Sequence, residues 1–535
     1  MTAFHAPTDD ILFSLIHVAR ADRLPGWDSD LAREITGHFA AFAEERIAPL
    51  DAPGDAEGCR LTDGRVRMPA GFAALYRDLA EQGWQGVTAP EAFGGQDLGR
   101  VVNAAISEIF TGANHALQMV TSLAHGAIDL LLHHATPAQQ AALIPPLADG
   151  RWLSTMCLTE PGAGSDLSAI RTRARRDGDR WRIEGEKIFI SGGDQDLSVG
   201  ILHLVLARTG APEDGVRGLS LFACLSHLSD GSPNRITVTR IEEKLGLHAS
   251  PTCQLAFDGA DGELIGAEGG GLAVMFAMMN HARLDVGLQG VAHAARAADL
   301  ARRYAAERIQ GRDAAGKPVS IDRHADVARM IDTCDALALG ARALCHLTLV
   351  AQELGNDPAF VAFMTPVCKA FATEAGIRAA DLAIQVMGGY GYLKEYGAEQ
   401  NWRDARICSI YEGTNGIQAR TTATRSLTQS GGAGAAAFAA FLRDSGPALA
   451  DAAAGWEAEA QRMRGVADPA AEAEAFMALT GGLAYRAAWA RILAAAEAAA
   501  PAERARLTRL GARVLGPAAR DSVPDTGPAV AAAFA

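Results

Sequence analysis

The stretch RWRIEGEKIFIS, residues 180–191, carries Trp181, Ile183, Ile188, Phe189 and Ile190 and stops at Ser191 before two glycines. Aromatic and β-branched residues bounded by Gly and Asp mark a strand. Four segments of the same character follow: ILHLVLART (201–209), GLSLFACL (218–225), RITVTRI (235–241) and TCQLAFDG (252–259). Short strands with regular turns between them predict a small β-sandwich or barrel, placed here over residues 152–268.

On both sides of this block the pattern is helical. In DSDLAREITGHFAAFAEERIAPL (28–50), Leu31, Ile35, Phe39, Phe42 and Ile47 recur near helical spacing, Asp28 or Ser29 can cap the start, and the run ends at Pro49. AGFAALYRDLAEQGW (70–84) repeats the pattern, and TPAQQAALIPPL (136–147) opens with Thr136 as cap and Pro137 at the first helical position. After the strands, residues 271–312 and 327–347 keep apolar residues at three- and four-residue steps, which predicts long helices in a bundle. Beyond 430 the run SGGAGAAAFAAF reads as a linker into an Ala-rich, acidic, helix-prone tail, either a small appended domain or an oligomer contact. The expected architecture is α+β and multidomain: a helical domain (1–151), a β domain (152–268), a helical bundle (269–430) and a helical extension (431–535).

A chain of 535 residues is long enough for several such units. Its net charge of -14, with basic residues scattered rather than blocked, lacks the footprint of a nucleic-acid or anionic-membrane binder. The eight cysteines form no C-x-x-C pair and sit mostly in apolar segments, which predicts reduced thiols; no metal site is expected. The start MTAFHAPTDD lacks the basic and apolar parts of a signal peptide, and no uninterrupted apolar run reaches about 18 residues. The expectation is a soluble, cytoplasmic protein with no membrane span.

Six short motifs carry candidate chemistry. CLTEPGAGSD (157–166) is a Gly-rich loop whose N–H groups and Thr159 and Ser165 hydroxyls suit ring carbonyls or a pyrophosphate, though a loop of this Pro/Gly content is by itself more often only a turn. KIFISGG (187–193) offers Phe189 for stacking and Ser191 as a donor, or simply ends a core strand. MMNHARLD (278–285) puts Asn280 and Arg283 on one helical face, where Arg283 suits a phosphate or is a solvated cation. YAAERIQGR (304–312) and QVMGGYGYL (385–393) each finish a helix with Arg or Gln before Gly, as a dinucleotide site or a plain C-cap does. SIYEGTNGIQ (409–418) sets Glu412 between an aromatic residue and a Gly/Thr/Asn turn, which by itself is a solvated loop acid.

In this order the motifs resemble the acyl-CoA dehydrogenase family, over residues from about 75 to 425. The resemblance implies an N-terminal helical domain, a middle strand domain and a C-terminal four-helix bundle, with FAD as cofactor. Carried over by position, it implies a flavin held by Met156, Leu158, Thr159, Ser165, Phe189 and Ser191, with Ser165 also facing the substrate's CoA. Arg308, Gln310, Gln385, Gly388 and Gly389 would bind the ADP half across a subunit contact, implying a homodimer or a dimer of dimers. Thr414 and Gly416 would lie by the cofactor, and Asn280, Arg283 and Gly413 by the substrate. Glu412 falls on the family's catalytic base, which removes the α-proton of an acyl thioester while the β-hydride passes to the flavin. Backbone N–H of the base and a ribityl hydroxyl would stabilise the enolate oxygen, and burial beside an acyl chain would raise the carboxyl pKa toward neutrality. Some members carry the base on the earlier helix, where this chain has Ala282.

RIQGR lacks the aromatic residue common before the glycine, and the chain exceeds a typical member at both ends. Its start, the ISGGDQDL segment and the tail look most like the 3-methylmercaptopropionyl-CoA dehydrogenase subgroup. An electron-transfer flavoprotein is the implied electron acceptor. Two other functions are open: an acyl-CoA oxidase of the same fold, and a non-catalytic flavoprotein or nucleic-acid-associated relative. Met275, Met278 and Met279 line an acyl pocket on one reading and belong to the core on the other.

Overall fold

The computed structural model describes residues 3–516, except for the side chains of Ala277, Asn280 and His281. The chain divides into two compact units, one built from residues 1–44, 100–113 and 283–535, the other from 45–99 and 114–282.

In the second unit the strands form a seven-stranded sheet. Gly200–Arg208, buried at every residue, pairs in parallel with Trp152–Cys157 and antiparallel with Leu219–Leu225. From Leu219–Leu225 the ladder continues through Thr252–Ile265, Arg180–Ser191 and Arg173–Asp177, and returns to Gly200–Arg208 through one pair, Arg173 with Arg208. Five of the strands therefore close into a small barrel, while among the described residues Trp152–Cys157 is paired only with Gly200–Arg208 and the seventh strand, Ile236–Ile241, only with Thr252–Ile265. Helices accompany the sheet, among them Phe72–Glu81, Leu123–His134 and Pro137–Ala148. The last starts as its sequence demands, with Thr136 and Gln139 exchanging capping hydrogen bonds and Pro137 at the first position. Leu130, Leu131, Ile144 and Leu147 pack with Leu202, Leu204, Leu221 and Ile265 in one apolar cluster, which also takes in Met275 and Met278. These two methionines are core residues, with Met278 lying against the bare backbone of Gly126.

The first unit is helical. Asp28 caps Ser29–Phe42 by accepting from the Asp30 and Leu31 N–H groups. Phe39, Phe42 and Ile47 are buried as the spacing predicts, whereas Leu31, in the first turn, is exposed. Ala325–Leu354 and Pro358–Met387 are joined by a short turn in which Gly355 takes a left-handed conformation and Asp357 caps the next helix. Both helices are long and apolar enough to cross a membrane by length and composition; most of their residues are buried in the protein, as those of core helices are. The predicted face of Met330, Cys334, Leu337, Ala341 and Leu344 is buried, and so are most of the residues between. At their centre Arg342 and Glu108, both fully buried, form a bidentate pair, with Nη2 donating to Oε1 at 2.6 Å and Nε to Oε2 at 3.1 Å.

The glycine run read as a linker forms a tight turn, Gln429–Gly432, that leads straight into the helix Ala433–Arg443. Three further helices follow, Pro447–Gly465, Ala473–Ala495 and Pro501–Leu515. Their aromatic residues pack on the bundle: Phe438 stacks on Phe363 at 5.2 Å and Tyr485 lies 4.8 Å from Phe371. Gly340 permits the approach, since a Cβ there would fall 2.2 Å from the Tyr485 ring. Arg506 ties the last helix to Asp10 and Asp335. All eight cysteines are free thiols.

Candidate active site

In the second unit the loop after Trp152–Cys157 meets the end of the Arg180–Ser191 strand. The Ile188 N–H donates to the Thr159 carbonyl at 2.9 Å, and the loop closes on itself through paired backbone bonds between Glu160 and Ala163. Lys187, with no exposed surface, reaches back to donate to the Leu158 carbonyl and to Glu160 Oε1, both at 2.8 Å. Glu160 also accepts from the Arg171 and Thr172 N–H groups at 2.7 and 3.1 Å. Burial pulls the Glu160 carboxyl up, but Lys187 and the backbone donors outweigh it and hold it below its ordinary value.

This clamp sets Leu158 and Thr159 beside the Lys187–Phe189 stretch, with Met156 in the strand that leads into the loop, Ser191 at the end of the other strand and Ser165 exposed farther along the loop. Phe189 adopts a left-handed φ of 58° in a break of strand register between Lys187 and Ile190, and is 61% exposed. A large aromatic ring held in solvent by a strained backbone is a ready face for a flat ligand.

In the first unit, Tyr304, Arg308, Gln310, Ile321, Gly388, Gly389 and Tyr390 line a cavity of about 480 Å³. The Arg308 guanidinium lies 5.5 Å from the centre of the Tyr390 ring, and a Cβ at Gly388 or Gly389 would meet nothing. Gln385 sits exposed one turn back and is not part of this lining.

Also in the first unit, the turn at Glu412 joins Arg406–Ser409 to the short helix Asn415–Thr421, which Thr414 caps by accepting from the Ile417 N–H. Glu412 has a φ of 53° and Gly413 follows at 84°. A left-handed glutamate is costly and persists only where its surroundings impose it. Gln418 does so by donating to the Glu412 and Gly413 carbonyls, both at 3.1 Å, and Arg283 donates to the Glu412 carbonyl at 3.3 Å. The φ of 84° at Gly413 is one that side chains rarely tolerate, and a Cβ there would also displace Gln418 Nε2, 2.9 Å away. Lys369 holds the Gly413 carbonyl from beneath at 3.0 Å. Thr414 and Gly416 are exposed on the same turn, and the Asn280 side chain lies outside the described residues.

Among the described residues nothing donates to the Glu412 carboxyl, and its backbone N–H has no acceptor. Burial pushes the carboxyl up to about 7, against the opposing charges of Arg283 and Lys369. A carboxyl that ionises near neutrality with its lone pairs unengaged is suited to general-base work.

Lys187, Glu160, Lys369 and Gln418 were not among the residues picked from the sequence. The signal for Lys369 was there, a lone lysine in the apolar run FVAFMTPVCKAF (360–371).

Three acyl-CoA dehydrogenase family models match the chain: the N-terminal domain over residues 29–151, the middle domain over 155–260 and the C-terminal domain over 269–427. The chain belongs to the acyl-CoA dehydrogenase family, whose members are flavoproteins that oxidise a CH–CH bond of an acyl-CoA thioester. It is 40% identical to 3-methylmercaptopropionyl-CoA dehydrogenase of Ruegeria pomeroyi over 484 residues, 86% of this chain and 82% of that one. It is 34% identical to the broad-specificity linear acyl-CoA dehydrogenase FadE5 of Mycobacterium tuberculosis, over 81% of this chain and 76% of that one. Butyryl-CoA dehydrogenase from Megasphaera elsdenii superposes with a TM-score of 0.65 at 25% identity, covering 74% of this chain and 98% of that one. Membership makes the chain an enzyme and sets aside the non-catalytic reading.

Removing one member of a buried ion pair strands the other, at a cost of about 3–5 kcal/mol. Lys187→Met should therefore lower stability by about that much in urea unfolding, and adding Glu160→Leu should recover part of the loss. An unchanged midpoint in the single variant would show that the pair does not hold the loop.

Proposed function

We propose that this chain removes the α-proton of a short acyl-CoA thioester with the Glu412 carboxylate, with FAD as the oxidant and 3-methylthiopropionyl-CoA as the substrate. The observation that carries the reading is the Glu412 side chain: among the described residues no donor engages it, and burial brings its pKa to about 7. In water a carboxylate is too weak a base for a thioester α-carbon; raising its pKa narrows the gap while leaving an ionised fraction near neutral pH. The unengaged Glu412 N–H would donate to the thioester carbonyl, where negative charge develops.

The residues present fit FAD. The cavity at Arg308, Gln310, Gly388 and Gly389 offers a cation, an aromatic wall and bare backbone to an ADP group. Phe189, Ser191, Thr159, Leu158 and Met156 would lie along the flavin, with Ser165 and Thr414 as hydroxyl donors and Gly416 close by. Bound there, FAD supplies a two-electron acceptor for the β C–H bond. Arg283 and Asn280 would contact CoA, and Gly413 the substrate. The apolar and aromatic exposure of Ile309, Tyr390, Tyr392 and Leu393 beside the ADP cavity fits a second copy of the chain covering it. Electrons would leave through an electron-transfer flavoprotein. The thioether substrate rests on the relative from Ruegeria pomeroyi.

The purified protein should carry FAD, and anaerobic addition of acyl-CoA should bleach it. Glu412→Gln should keep the FAD and slow bleaching by roughly 10²–10⁴-fold, the usual worth of a general base. Full-rate bleaching in that variant would remove Glu412 from the chemistry, and peroxide formation without an added acceptor would favour the oxidase. In a panel of thioesters, 3-methylthiopropionyl-CoA should exceed its sulfur-free isostere pentanoyl-CoA in kcat/KM; equal values would contradict the substrate assignment.

A further inference from the structure

Lys369 lies in the middle of the apolar Pro358–Met387 helix with no exposed surface. An ammonium in such a place ordinarily has a carboxylate against it, because desolvation otherwise drives off its proton. Among the described residues no carboxylate pairs with Lys369. Its Nζ instead donates to the Gly413 carbonyl at 3.0 Å and to Asn415 Oδ1 at 2.9 Å, the two positions on either side of Thr414. Asn415 is in turn oriented by donating to Glu374 Oε1 at 2.7 Å and to the Thr373 hydroxyl at 3.1 Å.

We propose that Lys369 is the positioning residue of the Glu412 base: its ammonium seats the Glu412–Gly413 turn from beneath and, with Arg283, supplies the positive potential that keeps the carboxylate ionised. The proposal rests on reading Glu412 as the base. The charges facing that turn come from three directions. Arg283 stands on the Gly271–Glu307 helix, with Arg425 acting on it in turn. Lys369 and Glu374 stand on the Pro358–Met387 helix. The segment before the turn adds Cys408 and Tyr411, both kept neutral by burial, with Asp285 acting on Tyr411. Among the described residues only Arg283 and Lys369 pull the Glu412 proton off; burial brings Lys369 itself down to about 8, against the opposing pull of Cys408, Glu412 and Glu374.

Arg283 donates through its guanidinium to the Glu412 carbonyl and is partly exposed, whereas Lys369 is shielded from solvent and salt. A charge in such surroundings acts with less screening than one at the surface. Lys369 should therefore matter to the ionisation of Glu412 at every ionic strength.

The test compares Lys369→Gln, which keeps an amide donor for the Gly413 carbonyl, with Lys369→Met, which keeps neither donor nor charge. Each is loaded with FAD and followed by anaerobic flavin reduction across pH, beside the wild type and Glu412→Gln. Removing a positive charge disfavours the carboxylate, so both variants should move the acid limb of the rate upward by about one pH unit, roughly a tenfold loss at a fixed pH below it. Lys369→Met should also lose rate on the alkaline plateau, because its turn is no longer held. An acid limb at the wild-type position in a variant that binds FAD would overturn the proposal. So would failure of both variants to bind FAD, which would make Lys369 a determinant of the fold alone. Full activity in Glu412→Gln would instead sink the reading of Glu412 as base, whatever the lysine variants do.

Discussion

Among the described residues nothing donates to the carboxyl of Glu412, and a half-buried acid with its pKa raised in this way stays only where the fold compels it. The compulsion is local and can be traced. Gln418, Arg283 and Lys369 grip the Glu412 and Gly413 carbonyls from three helices, and the turn between is forced left-handed at a residue that resists that conformation. Those helices must themselves be rigid. The buried Arg342–Glu108 pair and the tail aromatics packed around Gly340 and Phe363 supply that rigidity within the same unit.

The two units use the same device twice. In the first, a fully buried lysine, Lys369, donates to a backbone carbonyl of the loop that carries Glu412. In the second, another fully buried lysine, Lys187, donates to the Leu158 carbonyl of the Gly-rich loop. The difference lies in the counter-ion. Lys187 is matched by Glu160 in direct contact, so its charge is consumed in holding structure. Among the described residues Lys369 has only neutral acceptors, so its potential remains available to the acid nearby.

Much of the architecture was legible in the sequence because it follows from local chemistry. The strands at 180–191 and 219–225 announce themselves by β-branched and aromatic residues between turns, and Thr136–Pro137 and Asp28 mark helix starts that form as capping rules require. Arg308, Gln310, Gly388 and Gly389, picked as helix-end residues far apart in the chain, line one cavity. What was not legible depends on distant partners. Arg342 and Glu108 are 234 positions apart, and nothing around either foretells the pair. The run at 430–441 read as a linker because Gly and Ala are permissive, yet Gly434 sits against the Ala359 carbonyl and Phe363, where a small residue is what packing needs. Lys187 and Lys369 were passed over since lysine is mostly a surface residue; only burial reveals what they hold.

The central claim is that a carboxyl with a raised pKa, Glu412, takes the α-proton. The direct measurement is the rate of anaerobic flavin reduction across pH with α-deuterated and unlabelled acyl-CoA. A base that must be ionised loses rate as pH falls through its own pKa, so the rate should fall on the acid side with an apparent pKa near 7, as burial of Glu412 dictates. The α-deuterium should slow reduction in the wild type throughout that range. A rate independent of pH down to about 5, near the ordinary range of a solvated glutamate, together with no effect of α-deuteration, would contradict the account.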